Sequence, residues 1–233
     1  MELMASAVSM VVCIAVPVIL LGLLIWLAVH MVRRAQERER AKTHALYGWA
    51  CAQGWTYHNE RRELTSRFKG APFGRGTSRR ATHVLNGRHR GREVLAFEYR
   101  FTVESGENNR RTYRYLVVAT PTPAPRPWLQ VGLEGAGSRL LEIFGARDLQ
   151  LESEEFNRTF RISTGNDRFA YDVLHPRMME WLLADQRSRR VPFRFESSDL
   201  ICWSRTELNP DHVVWMADYL MDVADRVPSH VWK

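Results

Sequence analysis

The sequence predicts an α+β protein: an N-terminal transmembrane helix, then a soluble domain with an antiparallel β-meander, hairpins and a few packed helices, the last at the C-terminus. Three observations point there. No Asp, Glu, Lys or Arg lies between Glu2 and Arg33. Apolar side chains alternate strictly at Leu95, Phe97, Tyr99, Phe101 and Val103, and again at Tyr113, Tyr115, Val117 and Ala119, the period of a half-buried strand. After Asn209-Pro210, an N-cap and first-turn pair, Val213, Ala217, Leu220, Ala224 and Val227 recur at helical spacing until Pro228.

A bilayer core is crossed by about 20 apolar residues at roughly 1.5 Å each, and residues 3–32 exceed that length. A cleaved signal peptide needs a positive n-region, whereas the only charge before this run is Glu2. The expected organisation is a short extracytoplasmic N-terminus (1–8), a transmembrane helix (9–32) with Pro17 inside it, a juxtamembrane helical stalk (33–54) and an α+β domain (55–233). Arg33, Arg34, Arg38, Arg40 and Lys42 follow the span and no basic residue precedes it. The positive-inside rule then places the domain in the cytoplasm of a single-pass plasma-membrane protein. Three cysteines without a CxxC pair suit a reducing compartment, and Cys51 reads as a small packed thiol.

Within the domain, residues 61–68 form a short helix and residues 80–120 a three-stranded meander with turns at Arg90-Gly91 and at 105–108, most of its arginines facing outward. Four prolines in 121–127 predict a stiff connector outside the sheet. A short strand at 128–133 and a helix at 138–144 follow. The run from Asp167 to Asp185 is helical with a break at His175, where Pro176 opens the second half. Residues 191–205 are expected to be a hairpin turning at Ser197-Ser198-Asp199.

The net charge of +7 is unevenly placed: residues 61–114 carry 14 basic and five acidic side chains, residues 138–233 carry 13 and 16. The skew of 30 Arg against three Lys, with abundant Ala, is what a GC-rich coding sequence gives with no selection for binding. A basic face tethered at an anionic leaflet gains about 1 kcal/mol per cation near the surface. Arg79, Arg80, Arg88, Arg90 and Arg92 are therefore candidates for anionic-surface contact, the plainer alternative being a solvated strand face. The lipid bilayer's inner leaflet and another membrane protein are the expected partners, and nucleic acid is disfavoured.

"LESEEFNRTFRI" places Glu152, Glu154 and Glu155 within four positions. Either they are an active-site carboxylate cluster or Ser153 caps a helix whose first turn the acids complement. Metal and nucleophile signals are weak: the eight His are scattered, His83 and His89 being the pair that could face one another, and there is no HExxH or GxSxG. "FGRGTSRR" matches no phosphate-binding fingerprint. No catalytic residue, cofactor or metal is expected.

The same stretch, followed by "FAYDVLHPRMMEWLL", resembles the core signature of a bacterial domain family of unknown function, in its actinobacterial branch. Glu152, Glu154, Glu155, Phe156, Asn157, Pro176 and Met179 carry the likeness. The resemblance implies a membrane-associated domain in which the motif is architecture, and it brings no catalytic residue. The expected function is a membrane-anchored binding or scaffolding module. The alternatives are an enzyme using Glu152, Glu154 or Glu155, or an anionic-lipid or nucleic-acid binder acting through the arginines.

Overall fold

The structure, a computed structural model, describes the backbone of residues 2–104, 106, 109–133 and 147–233, and the side chains of the same residues from 21 onward apart from 147. It divides into two units, residues 1–45 and 46–233. The helix expected at 138–144 lies outside the described residues, as does the 105–108 turn apart from Gly106.

Helix α1 runs from Glu2 to Ala52. Among the described residues no helix is long and apolar enough to cross a membrane, and the span expected at 9–32 falls in good part on residues whose side chains are not described. In the described part, Leu21, Leu23, Leu24, Ile25, Trp26, Leu27, Val29, Met31 and Val32 are all exposed.

The second unit begins with the end of α1, where Leu46 and Ala50 pack beside Trp55. Its sheet comprises β1 (Thr56–Glu60), β2 (Thr77–His89), β3 (Arg92–Glu104), β4 (Arg110–Leu133), β5 (Arg147–Leu149), β6 (Phe160–Thr164) and β7 (Phe193–Ser204). The order is β1-β2-β3-β4-β6-β5, with β7 also on β4 and every pairing antiparallel. The helices are α2 (Leu64–Arg67), α3 (Glu154–Thr159), α4 (Asp167–Val173), α5 (Pro176–Ala184) and α6 (Pro210–Arg226). Each of α3, α4, α5 and α6 starts on a side-chain cap: Ser153, Asn166, His175 and Asn209.

Two expectations are corrected. Residues 121–127 are part of β4 rather than a connector. The prolines at 121, 123, 125 and 127 recur every second residue, so their four missing N–H groups share one edge, and extended backbone suits the proline φ. The β4–β7 ladder shifts register between Pro121 and Arg126 and again before Leu129, which accommodates them. Likewise 193–204 is no hairpin but one bent strand. Ser197 has φ +54° and stands opposite Arg126, so the turn-forming residues of β7 and the prolines of β4 mark a shared bend.

The alternation predicted a half-buried sheet, but its centre is covered on both faces. Val94, Ala96, Leu116, Val118, Leu200 and Cys202 face the helical layer with Val213, Leu220 and Met216 of α6. Phe97, Tyr99, Phe101, Val117, Ile201 and Trp203 face Leu64, Phe68 and Phe73, a layer made by α2 and the loop after it. Gly87 meets the Trp55 ring so closely that a Cβ would lie 2.2 Å from it. Gly87→Ala is accordingly expected to lower stability by about 1–3 kcal/mol through overpacking, measured by urea unfolding of the full-length protein in detergent. An unchanged midpoint would contradict this packing.

Candidate functional site

The loop after α2, "GAPFGRG", is wound tightly enough that two of its glycines cannot be replaced cheaply. Gly70 has φ +68° with the Trp128 ring 2.8 Å from a would-be Cβ, and Gly76 has φ +60° with the Thr102 carbonyl at 2.3 Å. This loop walls two adjoining cavities, of about 260 and 860 Å³, which share Arg75 and Tyr115.

The larger cavity has an aromatic wall. Phe101 stacks on Tyr113 at 5.3 Å and on Tyr115 at 6.1 Å between centroids, while Lys69, Arg75 and Arg79 also line it. The smaller is lined by Arg75, Arg161, Arg190 and Arg205, with Ser163 and Ser204 beside them. Arg161 is held by Asp148, its Nε donating at 2.9 Å. The Arg205 guanidinium lies 4.8 Å from the Tyr113 ring centre, joining the two cavities.

Behind Trp203, which lines the smaller cavity, Arg194 is wholly buried. Its guanidinium sits 4.3 Å from the Trp128 ring, 4.9 Å from Trp203 and 5.7 Å from Phe73. Nη1 donates to the Ala71 carbonyl at 3.0 Å and to Gln130 Oε1 at 3.3 Å, and Nη2 lies 2.9 Å from Glu196 Oε2. The Lys69 N–H donates to Glu196 at 2.8 Å. Burial pushes Arg194 down to about 10 against the pull of Glu196, and burial raises the Glu196 carboxyl. Arg194 thus stays charged at neutral pH and ties the 69–71 loop to β4 and β7.

The five arginines singled out from sequence do not share one surface. Arg79 lines the larger cavity, and Arg80 pairs with Glu60. Arg90 and Arg92 reach Asp222 and Asp225 of α6, beside a His89–Asp218 contact of 2.8 Å. These part-exposed pairs are worth about 0–1 kcal/mol each and lie on the outer side of α6, which docks through its buried face. Arg88 and Arg92 line a separate cleft of about 350 Å³ with Pro121, Pro123, Leu200 and Trp232. His83 and His89 do not meet: His83 is buried against the Tyr57 hydroxyl at 2.8 Å. Among the described residues no group of His, Cys, Asp and Glu could hold a metal ion. Cys51 is exposed rather than packed, because the buried side of its helical turn is taken by Ala50 and Leu46.

The acidic motif lines none of these cavities. Glu152, Glu154 and Glu155 are exposed, Ser153 accepts from the Phe156 N–H at 3.3 Å, and Phe156 is buried. The Asn157 side chain closes the segment, accepting from the Leu151 N–H at 3.0 Å and donating to the Leu151 carbonyl at 2.6 Å. Pro176 is the first residue of α5, and Met179 packs half-buried against the core. Asn157→Ala is expected to cost about 1–3 kcal/mol through these two bonds, while Glu154→Gln stays within about 0.5 kcal/mol as an exposed substitution. Thermal unfolding of the two variants checks the order, and the reverse order would return the carboxylates to consideration.

Sequence reasoning missed Arg75, Arg161, Arg190, Arg194 and Arg205. One signal was present: the interleaving of Arg111, Arg114, Tyr113 and Tyr115 is strand alternation, and its tyrosines also build the aromatic wall.

No family model matches the chain, and no curated protein matches it. Among solved structures it is similar to the mycobacterial trehalose monomycolate transport factor A, TtfA, at 16% identity and a TM-score of 0.58, over 78% of this chain and 94% of that one. At this identity the likeness shows the α+β fold.

Proposed function

We propose that the chain is a membrane-anchored binding module serving lipid transport, with the basic and aromatic cleft as its ligand surface. The carrying observation is the composition of that cleft. Among the described residues its lining offers stacked rings, guanidinium groups and hydroxyls, and includes no carboxylate, histidine or cysteine. Such a surface can hold a polar headgroup, by stacking and by charge, and its lysine, tyrosines and serines have no carboxylate or imidazole among the described lining residues to activate them. The neighbour of the same fold is named for transport of trehalose monomycolate, which favours a lipid-derived ligand and a binding role over an enzyme using Glu154 or Glu155.

The anchor in this reading is α1, whose exposed apolar run at 21–32 is followed by Arg33 and Arg34. Positive-inside orientation would then put the binding domain at the cytoplasmic leaflet of the plasma membrane, with that leaflet and a second membrane protein as partners.

The test is a photoreactive phenylalanine analogue at Tyr113 in the full-length, membrane-embedded protein. A lipid adduct found by mass spectrometry at Tyr113, and not at exposed Tyr171 on α4, is the expected result. Equal labelling at both positions, or none at Tyr113, would overturn the assignment of the cleft.

A further inference from the structure

We infer that the smaller cavity is an anion subsite that takes a phosphate ester. The inference rests on the reading of the cleft as a ligand site and names the chemistry that one part of it selects.

Four guanidinium groups line about 260 Å³ of space, brought there by four separate segments: the loop after α2, β6, the turn after α5 and the end of β7. Asp148 neutralises Arg161. No ion pair is formed between a described residue and Arg75, Arg190 or Arg205. By contrast Arg67, Arg80, Arg90, Arg92, Arg110 and Arg187 of the same domain each face a carboxylate. Three uncompensated cations around one concavity repel one another, whereas Arg194, buried behind Trp203, is balanced by Glu196 as Arg161 is by Asp148. A bound anion adds an attraction to each of these cations that offsets their mutual repulsion.

The geometry also chooses among anions. A carboxylate presents two acceptor oxygens and is satisfied by one guanidinium fork. A phosphate ester presents up to four oxygens in a tetrahedral array, which suits cations converging from three directions with the Ser163 and Ser204 hydroxyls as further donors. The rings of Phe101 and Tyr113 line the adjoining cavity, which shares Arg75 and Tyr115 with this one, placed to receive what the phosphate is esterified to.

The experiment titrates the full-length protein in amphipol, by calorimetry, with inorganic phosphate, glycerol phosphate and dihexanoyl phosphatidylglycerol. Dihexanoyl glycerol, which lacks the phosphate, is the control. Binding of a phosphate probe is expected to weaken about tenfold or more in Arg190→Gln/Arg205→Gln, each lost charge-assisted contact being worth roughly that factor. Arg158→Gln/Arg177→Gln removes the same net charge at exposed positions outside the cavity and is expected to bind as the unaltered protein does. Tighter binding of the lipid than of glycerol phosphate identifies a lipid headgroup as the source, equal binding a soluble phosphate ester, and either supports the subsite. Equal weakening in the two double variants, or dihexanoyl glycerol binding as well as its phosphorylated counterpart, overturns it. If no phosphate probe binds while the Tyr113 lipid adduct persists, the anion subsite falls and the binding-module reading stands. If the adduct is absent as well, both fall.

Discussion

Arg194→Met is expected to lower the unfolding free energy by about 3–5 kcal/mol, the range for breaking a buried ion pair from one side. The substitution keeps most of the side-chain volume between Trp128, Trp203 and Phe73, so the loss is electrostatic first. Glu196, already raised by burial, loses its cation, and the Ala71 carbonyl and Gln130 lose their donor. The double variant Arg194→Met/Glu196→Gln removes the stranded charge and should recover more than half of the loss. Urea unfolding followed by tryptophan fluorescence measures all three proteins. A single-variant loss below about 1 kcal/mol would show the pair to be dispensable. The same change loosens the 69–71 loop that walls both cavities, so ligand binding should suffer even where folding survives.

Glu98→Ala is the second large effect, at about 2–4 kcal/mol. Glu98 lies wholly buried in the middle of β3, at a position that simple alternation gives to solvent. It accepts from Arg100 Nε at 2.6 Å and from the Leu208 N–H at 3.1 Å, with Arg114 Nε at 3.3 Å. Alanine leaves the Leu208 amide buried and unpaired just before α6 begins. Glutamine keeps an acceptor for that amide while losing the charge, so it should fall between the two. Thermal unfolding of Glu98→Ala and Glu98→Gln distinguishes these contributions, and equal losses would assign the whole effect to the ion pairs.

What the chain discloses in one dimension is what depends on near neighbours. The helix α6, the break between α4 and α5 at His175-Pro176, and the β2–β3–β4 meander all follow from caps and periods set within a few residues. Ser153 could be recognised as a cap because the bond it makes spans three positions. The bends in β4 and β7 could not be recognised. Proline at 121–127 and serine at 197–198 look like chain breaks when each is read alone, and become a matched bend only once the two strands are paired. The cleft is further from reach. Arg75, Arg161, Arg190 and Arg205 lie in different stretches of an arginine-rich sequence, and topology alone distinguishes these four from the rest. The five arginines that did cluster in sequence were dispersed by their partners, two of them onto the acidic face of α6.

The length of β4 carries a consequence for biosynthesis. This one strand pairs with β3, β6 and β7, so both halves of the sheet are hydrogen-bonded through it. Its partner β7 begins 60 residues after β4 ends, and α6 follows later still. At roughly 5–20 residues per second, a ribosome needs several seconds to deliver β7 after β4 has emerged. Throughout that interval one flank of the longest strand is an open template for any extended chain nearby. If the first helix anchors the chain as proposed, a nascent chain held at the membrane would meet fewer such chains than one free in solution. Early tethering would then act as a chaperone in cis, and variants that slow the late closure of the sheet should aggregate most when the first helix is removed.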